Sequence, residues 1–159
     1  MASMGRESHE HYMDLALAEA ALARQAGEVP VGAVVVDAAG EVIGRGFNQP
    51  IGGSDPTAHA EILAMRAAAT AIANYRLTGS TLYCTLEPCV MCAGAILHAR
   101  IATVVFAAPD PKAGAAGSRY NVLTDPRFNH TVEIIRGVRD GESADMLQTF
   151  FRERRIKQD

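Results

Sequence analysis

Two short stretches decide how this chain must fold, HAE at residues 59–61 and PCVMC at residues 88–92. Their histidine and two cysteines are ligand types that zinc prefers, and three protein ligands leave the fourth tetrahedral position open, as in catalytic zinc sites. The glutamate follows the histidine by two residues, close enough to reach a water at that position without being a ligand. A metal acidifies such a water, and a carboxylate can move its proton. We therefore predict one zinc ion per chain, with His59, Cys89 and Cys92 as ligands and Glu61 as the catalytic acid–base.

A structural zinc site is the main alternative, because a CxxC pair alone also fits structural sites and redox pairs. Such a site needs a fourth protein ligand. The best candidate donor is His98, which follows Cys92 by six residues on the same predicted helix. The third cysteine, Cys84, lies in the strand-like run at residues 81–85. We predict that it is a small core residue rather than a redox partner of Cys89.

Length and composition favour a single domain. The chain has 159 residues, and we predict one domain over residues 1–159 in which residues 1–7 are disordered. No apolar run is long enough to cross a bilayer, and residues 1–12 lack the hydrophobic region of a signal peptide. Three cysteines, two of them in metal spacing, favour a reducing cytoplasm over a disulfide framework. The net charge of −3 does not indicate a nucleic-acid binder, so any RNA binding requires a local basic patch.

Hydrophobic periodicity and turn residues predict a helix, a hairpin, and then alternating helices and strands. Three of the predicted helices cover residues 8–26, 55–74 and 142–157. Another helix opens at Glu87-Pro88, and one helical turn covers residues 120–123. The predicted strands cover residues 31–36, 42–47, 80–85, 101–107 and 132–136. Asp55 is predicted to cap the second helix, with Pro56 at its first position. This order of elements predicts a three-layer α/β/α sandwich around a mixed five-stranded sheet.

Four segments resemble the bacterial tRNA-specific adenosine deaminases of the cytidine deaminase superfamily: residues 28–33, 55–61, 85–95 and 114–118. The pattern HxE followed by PCxxC is the signature of the superfamily, whereas the GAAGS loop and the FFR ending favour the tRNA branch. The resemblance runs from about His9 to Lys157 and implies a cytidine deaminase-like fold in a homodimer. It also implies conversion of adenosine to inosine at the wobble position of a tRNA-Arg anticodon. Zinc-bound hydroxide would attack C6 of the adenine, Glu61 would shuttle the proton, and ammonia would leave.

The same resemblance implies that Asn48 and Val31 bind the flipped base. An asparagine amide can both donate and accept, which suits a purine edge. The alternative is that Asn48 only turns the chain before Gln49-Pro50.

Two loops resemble RNA-contacting segments of the family, Asp110-Pro111-Lys112 and Asn129-His130. The preceding residues, AAP at 107–109, depart from the glycine and charged residue that relatives commonly carry there. Prolines at positions 109 and 111 should stiffen this loop. Lys112 could equally be an exposed loop lysine, and a lone histidine such as His130 is more often structural.

The C-terminal segment is predicted to hold the anticodon loop by stacking on bases and pairing with phosphates. Its residues are Phe150, Phe151, Arg152, Arg154, Arg155 and Lys157. One of the two phenylalanines is expected to pack in the core instead. The implied partners are a tRNA anticodon loop and a second copy of the chain, with no membrane partner and no DNA as natural substrate.

Two other functions remain open from the sequence. The first is a deaminase of the same chemistry that acts on free cytosine, cytidine or guanine, because the metal motif cannot distinguish them. The second is a metal-stabilised RNA-binding subunit without catalysis, as in heterodimeric relatives whose partner carries the active site. Such subunits typically lack the glutamate, so Glu61 argues against the second function.

Overall fold

The computed structural model describes residues 5–158, with side chains up to residue 156. Its strands are β1 (Gly32–Val36), β2 (Val42–Phe47), β3 (Thr81–Leu86), β4 (Thr103–Ala108) and β5 (Glu133–Arg136). Its helices are α1 (Arg6–Gln25), α2 (Ala60–Ile72), α3 (Val90–Ala99) and α4 (Asp140–Gln158). None of these described helices combines the length and the apolar character that a membrane span requires.

The strands form one mixed sheet in the order β2-β1-β3-β4-β5. Strand β1 is antiparallel to both β2 and β3, whereas β3, β4 and β5 are parallel. Strands β1 and β2 are joined by a short hairpin, while the parallel pair β3 and β4 needs a crossover, which α3 provides. The predicted mixed five-stranded sheet is therefore confirmed.

Helices cover both faces of the sheet, because alternate strand residues point to opposite sides. On one face, α2 and α3 pack over a core that includes Val35, Cys84 and Phe106. On the other face, α1 packs over Val34 and its neighbours. Helix α4 lies beside α1 and is joined to it by an ion pair of 2.8 Å between Arg24 and Glu153. These are the three layers of the predicted α/β/α sandwich.

Several element boundaries differ from the predicted ones. Helix α1 begins at Arg6, so residues 6 and 7, which we predicted to be disordered, are helical; residues 1–4 lie outside the described part of the chain. Helix α2 begins at Ala60 instead of Asp55, because the Asp55 carboxylate accepts hydrogen bonds from the Thr57 N–H and hydroxyl and holds a separate turn. The helical turn predicted at residues 120–123 is wrong, since Asn121 pairs in an antiparallel bridge with Ala116.

Helix α2 approaches β2 closely enough to exclude any side chain at two glycines. A Cβ atom at Gly44 would lie 2.2 Å from the Ala64 carbonyl oxygen, and one at Gly46 would lie 2.7 Å from the Ala60 carbonyl oxygen. Because Ala60 is the first residue of α2, Gly46 sets the distance between the sheet and the start of this helix. His59 and Glu61 are the residues directly before and after Ala60 in the sequence.

The substitution Gly46→Ala is expected to destabilise the protein by about 1–3 kcal/mol, because the added methyl group meets backbone atoms that cannot rotate away. Gly141→Ala is the matched control: nothing lies within 4 Å of the added Cβ in α4, and alanine suits a helix better than glycine. Chemical denaturation of the two variants checks the prediction. Equal stabilities would show that α2 can move away from β2 without loss.

Candidate active site

The proposed zinc ligands lie at the N-terminal ends of two helices. His59 is the N-cap residue of α2, and Cys89 is the N-cap residue of α3, with Cys92 in the first turn of α3. Helix α3 therefore begins at Val90, later than the predicted opening at Glu87-Pro88. The positive end of a helix dipole favours thiolate over thiol, which suits metal ligation.

Neither N-cap side chain makes a hydrogen bond to its own helix. For α2, the side chain of Asn48 does this instead: its Oδ1 atom accepts the N–H of Ala60 at 2.8 Å. Asn48 follows β2 directly, so the hydrogen bond fixes the start of α2 against the end of that strand. The imidazole of His59 is left to face the two cysteines.

The three ligand atoms have the spacing of a tetrahedral zinc site. The Nδ1 atom of His59 lies 3.6 Å from the Sγ atom of Cys89 and 3.5 Å from the Sγ atom of Cys92. Tetrahedral zinc with ordinary Zn–N and Zn–S bond lengths separates nitrogen and sulfur by roughly 3.6 Å. No other His, Cys, Asp or Glu of the described residues joins this cluster, so His98 is not a fourth ligand. The site therefore fits zinc with one coordination position left for a water.

The two thiols differ in acidity. A hydrogen bond from Cys92 is the main cause that lowers the pKa of Cys89 to about 4, and the same hydrogen bond raises the pKa of Cys92. Cys89 is thus the first of the two to ionise. Binding a metal requires that Cys92 lose its proton as well.

The carboxylate predicted to be catalytic, that of Glu61, lies in the first turn of α2, next to the predicted zinc ligands. Glu61 is only 4% exposed, and its burial raises the pKa to about 7. A group of that acidity can both accept and release a proton near neutral pH. Ligand cluster and buried glutamate together provide the groups that hydrolytic deamination needs.

Comparisons with known proteins show the family. Residues 6–108 match the family model for the cytidine and deoxycytidylate deaminase zinc-binding region. A tRNA-specific adenosine deaminase of Haemophilus influenzae is 54% identical over 154 residues, which is 97% of this chain and 89% of that protein. The chain belongs to the tRNA-specific adenosine deaminase family. It is accordingly a zinc-dependent deaminase.

Two solved structures share the fold. One comes from work on A-to-I editing by tRNA:A34 deaminases at the wobble position of transfer RNA; it is 45% identical, with a TM-score of 0.83 over 86% of this chain and 99% of that one. The other is the guanine deaminase of Bacillus subtilis, 40% identical over 69% of each chain with a TM-score of 0.62. The cytidine deaminase-like fold is thus confirmed.

The residues expected to bind the base lie beside the zinc cluster. Val31 is buried, and its carbonyl oxygen accepts the backbone N–H of Asn48 at 3.1 Å. Asn48 is half-buried and, through Ala60, adjoins the helix that carries Glu61. Asn48 therefore does more than turn the chain, because its side chain caps α2.

The loop at residues 109–118 follows β4 and carries Asp110 and Lys112. The Asp110 carboxylate accepts the N–H groups of Lys112 and Ala113, and Lys112 is exposed. The loop is held by Glu87, a buried residue for which the sequence predicted only a place at the start of a helix. Burial alone would raise the pKa of Glu87, yet hydrogen bonds from Ser118, Asp110 and Ala116 lower it.

Asn129 and His130 line a cavity of about 320 Å³ to which His59, Glu61, Cys89 and Cys92 do not contribute. The outer side of α3 contributes His98 to this cavity, and the exposed rings of Tyr75 and Phe128 flank it. His130 is half-buried, and its Nε2 atom hydrogen-bonds the carbonyl oxygen of Ile101 at 2.7 Å. The structure thus gives His130 a structural contact and leaves Asn129 exposed.

Helix α4 divides the predicted RNA-contacting residues between core and surface. Phe150 is buried, which confirms that one phenylalanine packs in the core, whereas Phe151 is exposed. Phe151 and Arg155 line a groove of about 470 Å³ together with Lys112. Arg152 is exposed on the same helix, beside a second groove that Phe151 also lines. The side chain of Lys157 lies outside the described part of the chain.

Arg154 has partners within the chain as well as a place in the groove. Its guanidinium donates to the carbonyl oxygen of Gly27 at 2.8 Å and lies 5.0 Å from the ring centroid of Phe150. These contacts hold α4 against the end of α1. Arg152 and Arg155 are therefore better candidates for free phosphate contacts than Arg154.

Proposed function

We propose that this chain converts adenosine to inosine at the wobble position of a tRNA anticodon, with tRNA-Arg as the substrate. The observation that carries the proposal is the single site in which His59, Cys89 and Cys92 have tetrahedral zinc spacing and the buried Glu61 adjoins them. The similarity to solved tRNA:A34 deaminases supports the choice of substrate. Zinc binding needs reduced thiols, which supports a cytoplasmic location.

Zinc held by His59, Cys89 and Cys92 would acidify a water and so supply the nucleophile for C6 of the adenine. Glu61 would take a proton from that water and pass it to the amino group that departs as ammonia. Burial keeps this carboxylate away from bulk solvent, so the proton stays within the site.

Asn48 would orient the base. Because its Oδ1 atom already accepts the Ala60 N–H, its Nδ2 group is the part that can donate to a ring nitrogen of the purine. Val31 would supply an apolar contact to the flipped ring. The backbone hydrogen bond from the Asn48 N–H to the Val31 carbonyl oxygen keeps these two residues next to each other, which supports a shared role in base binding.

The anticodon loop would lie along the groove formed by Lys112, Phe151 and Arg155, with Arg152 at its edge. Exposed aromatic rings stack on unpaired bases, and nearby cations pair with phosphates. Asp110 would contact the RNA from the same loop as Lys112. Asn129 and His130 would contact the RNA from the separate cavity that they line. The family resemblance implies a homodimer, in which the second chain would contribute to RNA binding.

The second candidate function is deamination of a free base. The similarity to a guanine deaminase favours it, because the same zinc site serves both reactions. A substrate comparison distinguishes the two: the protein is incubated with tRNA, adenosine, guanine, cytosine and cytidine, and ammonia release is measured. We expect release from tRNA only. Turnover of a free base with none of tRNA would replace the proposal with the second function. A subunit without catalysis would release no ammonia from any substrate.

Affinity for tRNA should depend on salt although the net charge is −3. Screening acts over about 8 Å at physiological ionic strength, so distant acidic residues hardly offset a basic patch that touches phosphates. About three phosphate contacts from Lys112, Arg152 and Arg155 give a slope of log affinity against log salt near −2. Binding titrations over a range of salt concentrations measure this slope, and a value near zero would exclude RNA as the ligand.

Substitutions of two residues that line the same groove, Lys112 and Phe151, are compared in that titration. Lys112→Ala should flatten the slope by about 0.7, because one phosphate contact is lost. Phe151→Ala should weaken binding and leave the slope unchanged, since stacking releases no counterions.

A further inference from the structure

One buried carboxylate beside the zinc helix has no part in the mechanism above. Glu87 stands between β3 and Cys89 and is 2% exposed. Its Oε1 atom accepts the N–H of Asp110 at 3.0 Å, and its Oε2 atom accepts the N–H groups of Ala116 and Ser118, each at 3.0 Å. The Ser118 hydroxyl donates to Oε1 as well. All of these donors belong to the loop at residues 109–118.

The loop encloses this carboxylate too tightly for any side chain at Gly114. A Cβ atom there would lie 2.4 Å from the Cδ atom of Glu87 and 2.6 Å from the carbonyl oxygen of Asp110. A backbone hydrogen bond of 2.8 Å from Ala115 to the carbonyl oxygen of Pro88 adds a second attachment. The loop is therefore fixed to the chain segment that leads into the zinc ligands on α3.

The same contacts determine where Lys112 lies. Glu87 holds the backbone N–H of Asp110, and the Asp110 carboxylate in turn accepts the N–H of Lys112 at 3.1 Å. Lys112 is exposed and lines the groove with Phe151 and Arg155. The Glu87 carboxylate thus links the segment before α3 to the surface at which RNA would bind.

We propose that Glu87 is a positioning residue for RNA binding: it holds the 109–118 loop in one conformation, so that Asp110 and Lys112 meet the anticodon loop without first having to be ordered. This inference rests on the proposed function. Ordering a loop on binding lowers affinity, and a loop fixed in advance avoids that loss. Glu87 touches neither the base nor the zinc site's reacting atoms, so its effect should appear in KM for tRNA and not in kcat.

The variant Glu87→Gln tests the proposal while keeping the size of the side chain. The NH₂ group of glutamine would face backbone N–H groups, which are also donors. At least one hydrogen bond to the loop would therefore be lost. We expect faster hydrogen exchange at the amides of Asp110, Ala116 and Ser118, unchanged zinc content, and a KM for tRNA raised about tenfold, the effect of one hydrogen bond to a charged group. The kcat value should change by less than about threefold on the same reasoning.

A double-mutant cycle separates positioning from a general loss of stability. Lys112→Ala is made in the original chain and in the Glu87→Gln variant, and the change in KM for tRNA is compared. If Glu87 acts through Lys112, the lysine substitution has little further effect once the loop is released. Independent effects, in which Lys112→Ala raises KM equally in both backgrounds, would overturn the proposal.

Glu28→Gln is the matched control. Glu28 is also 2% exposed and also binds a loop, through the N–H groups of Ile51 at 3.2 Å and Gly52 at 2.7 Å. None of these partners is shared with Glu87, so Lys112→Ala should keep its full effect in the Glu28→Gln background. If Glu87→Gln fails to fold, Ser118→Ala takes its place in the double-mutant cycle, because it removes only the hydroxyl that donates to Glu87.

Hydrogen exchange keeps this inference distinct from the proposed function, since it needs no substrate. Unchanged exchange at the three loop amides in Glu87→Gln would show that Glu87 does not hold the loop, whatever the enzyme acts on. Faster exchange in a protein that deaminates no tRNA would contradict the proposed function, and with it the role in RNA binding, but would leave the loop attachment established.

Discussion

Replacing Glu61 with glutamine is expected to reduce deamination by roughly 10²–10⁴-fold, the range for a positioned acid–base group. Glutamine fills the same buried volume and keeps a hydrogen-bonding side chain, but it cannot take a proton from water and return it to ammonia. Glu61 is the carboxylate whose charge acts on His59 and whose side chain hydrogen-bonds Cys92. With glutamine at this position, the proton transfer assigned to Glu61 loses its carrier.

The measurement is the rate of ammonia release from tRNA by zinc-loaded Glu61→Gln under single-turnover conditions. Zinc content and thermal unfolding of the same sample serve as controls, because neither should change if the residue acts only in proton transfer. Near-normal turnover in a fully zinc-loaded variant would show that the proton travels by another route.

Loss of one ligand should have an equally large effect by a different cause. Cys89→Ala is expected to lower bound zinc from one equivalent to nearly none and to abolish turnover, since two remaining ligands cannot hold the ion in its tetrahedral site. Thermal stability should fall too, because an ion that binds only the folded state at a concentration about 1,000 times its dissociation constant adds about 4 kcal/mol. A chelator should lower the stability of the original chain in the same way.

Cys84→Ala is the control for that experiment. Cys84 is buried in β3, and its thiol donates only a long contact of 3.8 Å to the Val105 carbonyl oxygen. This variant should therefore keep its zinc, as metal analysis of both variants will show. Stoichiometric zinc in Cys89→Ala, or zinc loss in Cys84→Ala, would mean that the ligand set is wrong.

The sequence alone was enough to predict the five strands of the sheet and the residues of the zinc cluster. Continuous β-branched runs and turn residues indicate the hairpin, and the two motifs predict that three ligands and a glutamate lie close together. The strands could be predicted because each depends on residues that are near one another in the chain. The zinc cluster could be predicted although His59 lies 30 residues before Cys89, because its two motifs together form a known signature. The sequence also predicted that one of the two phenylalanines at residues 150 and 151 packs in the core, without indicating which; the structure buries Phe150.

Features that depend on distant partners could not be predicted in this way. Asp55 has the residue type of a helix cap, but its hydrogen bonds to Thr57 form a separate turn. The start of α2 is instead capped by Asn48, 12 residues before Ala60. Glu87 likewise binds N–H groups 23 to 31 residues further along. The one sequence signal for that contact was Gly114, whose need for close approach became clear only with the carboxylate in place.

The most direct test of the proposed function is to sequence a total bacterial tRNA pool for inosine after incubation with the zinc-loaded protein. We predict new inosine at the wobble position of tRNA-Arg and at no other adenosine, with none formed by Glu61→Gln. An unchanged tRNA pool, or inosine spread over many positions, would contradict the proposal that this site is built to deaminate one flipped adenosine of the anticodon.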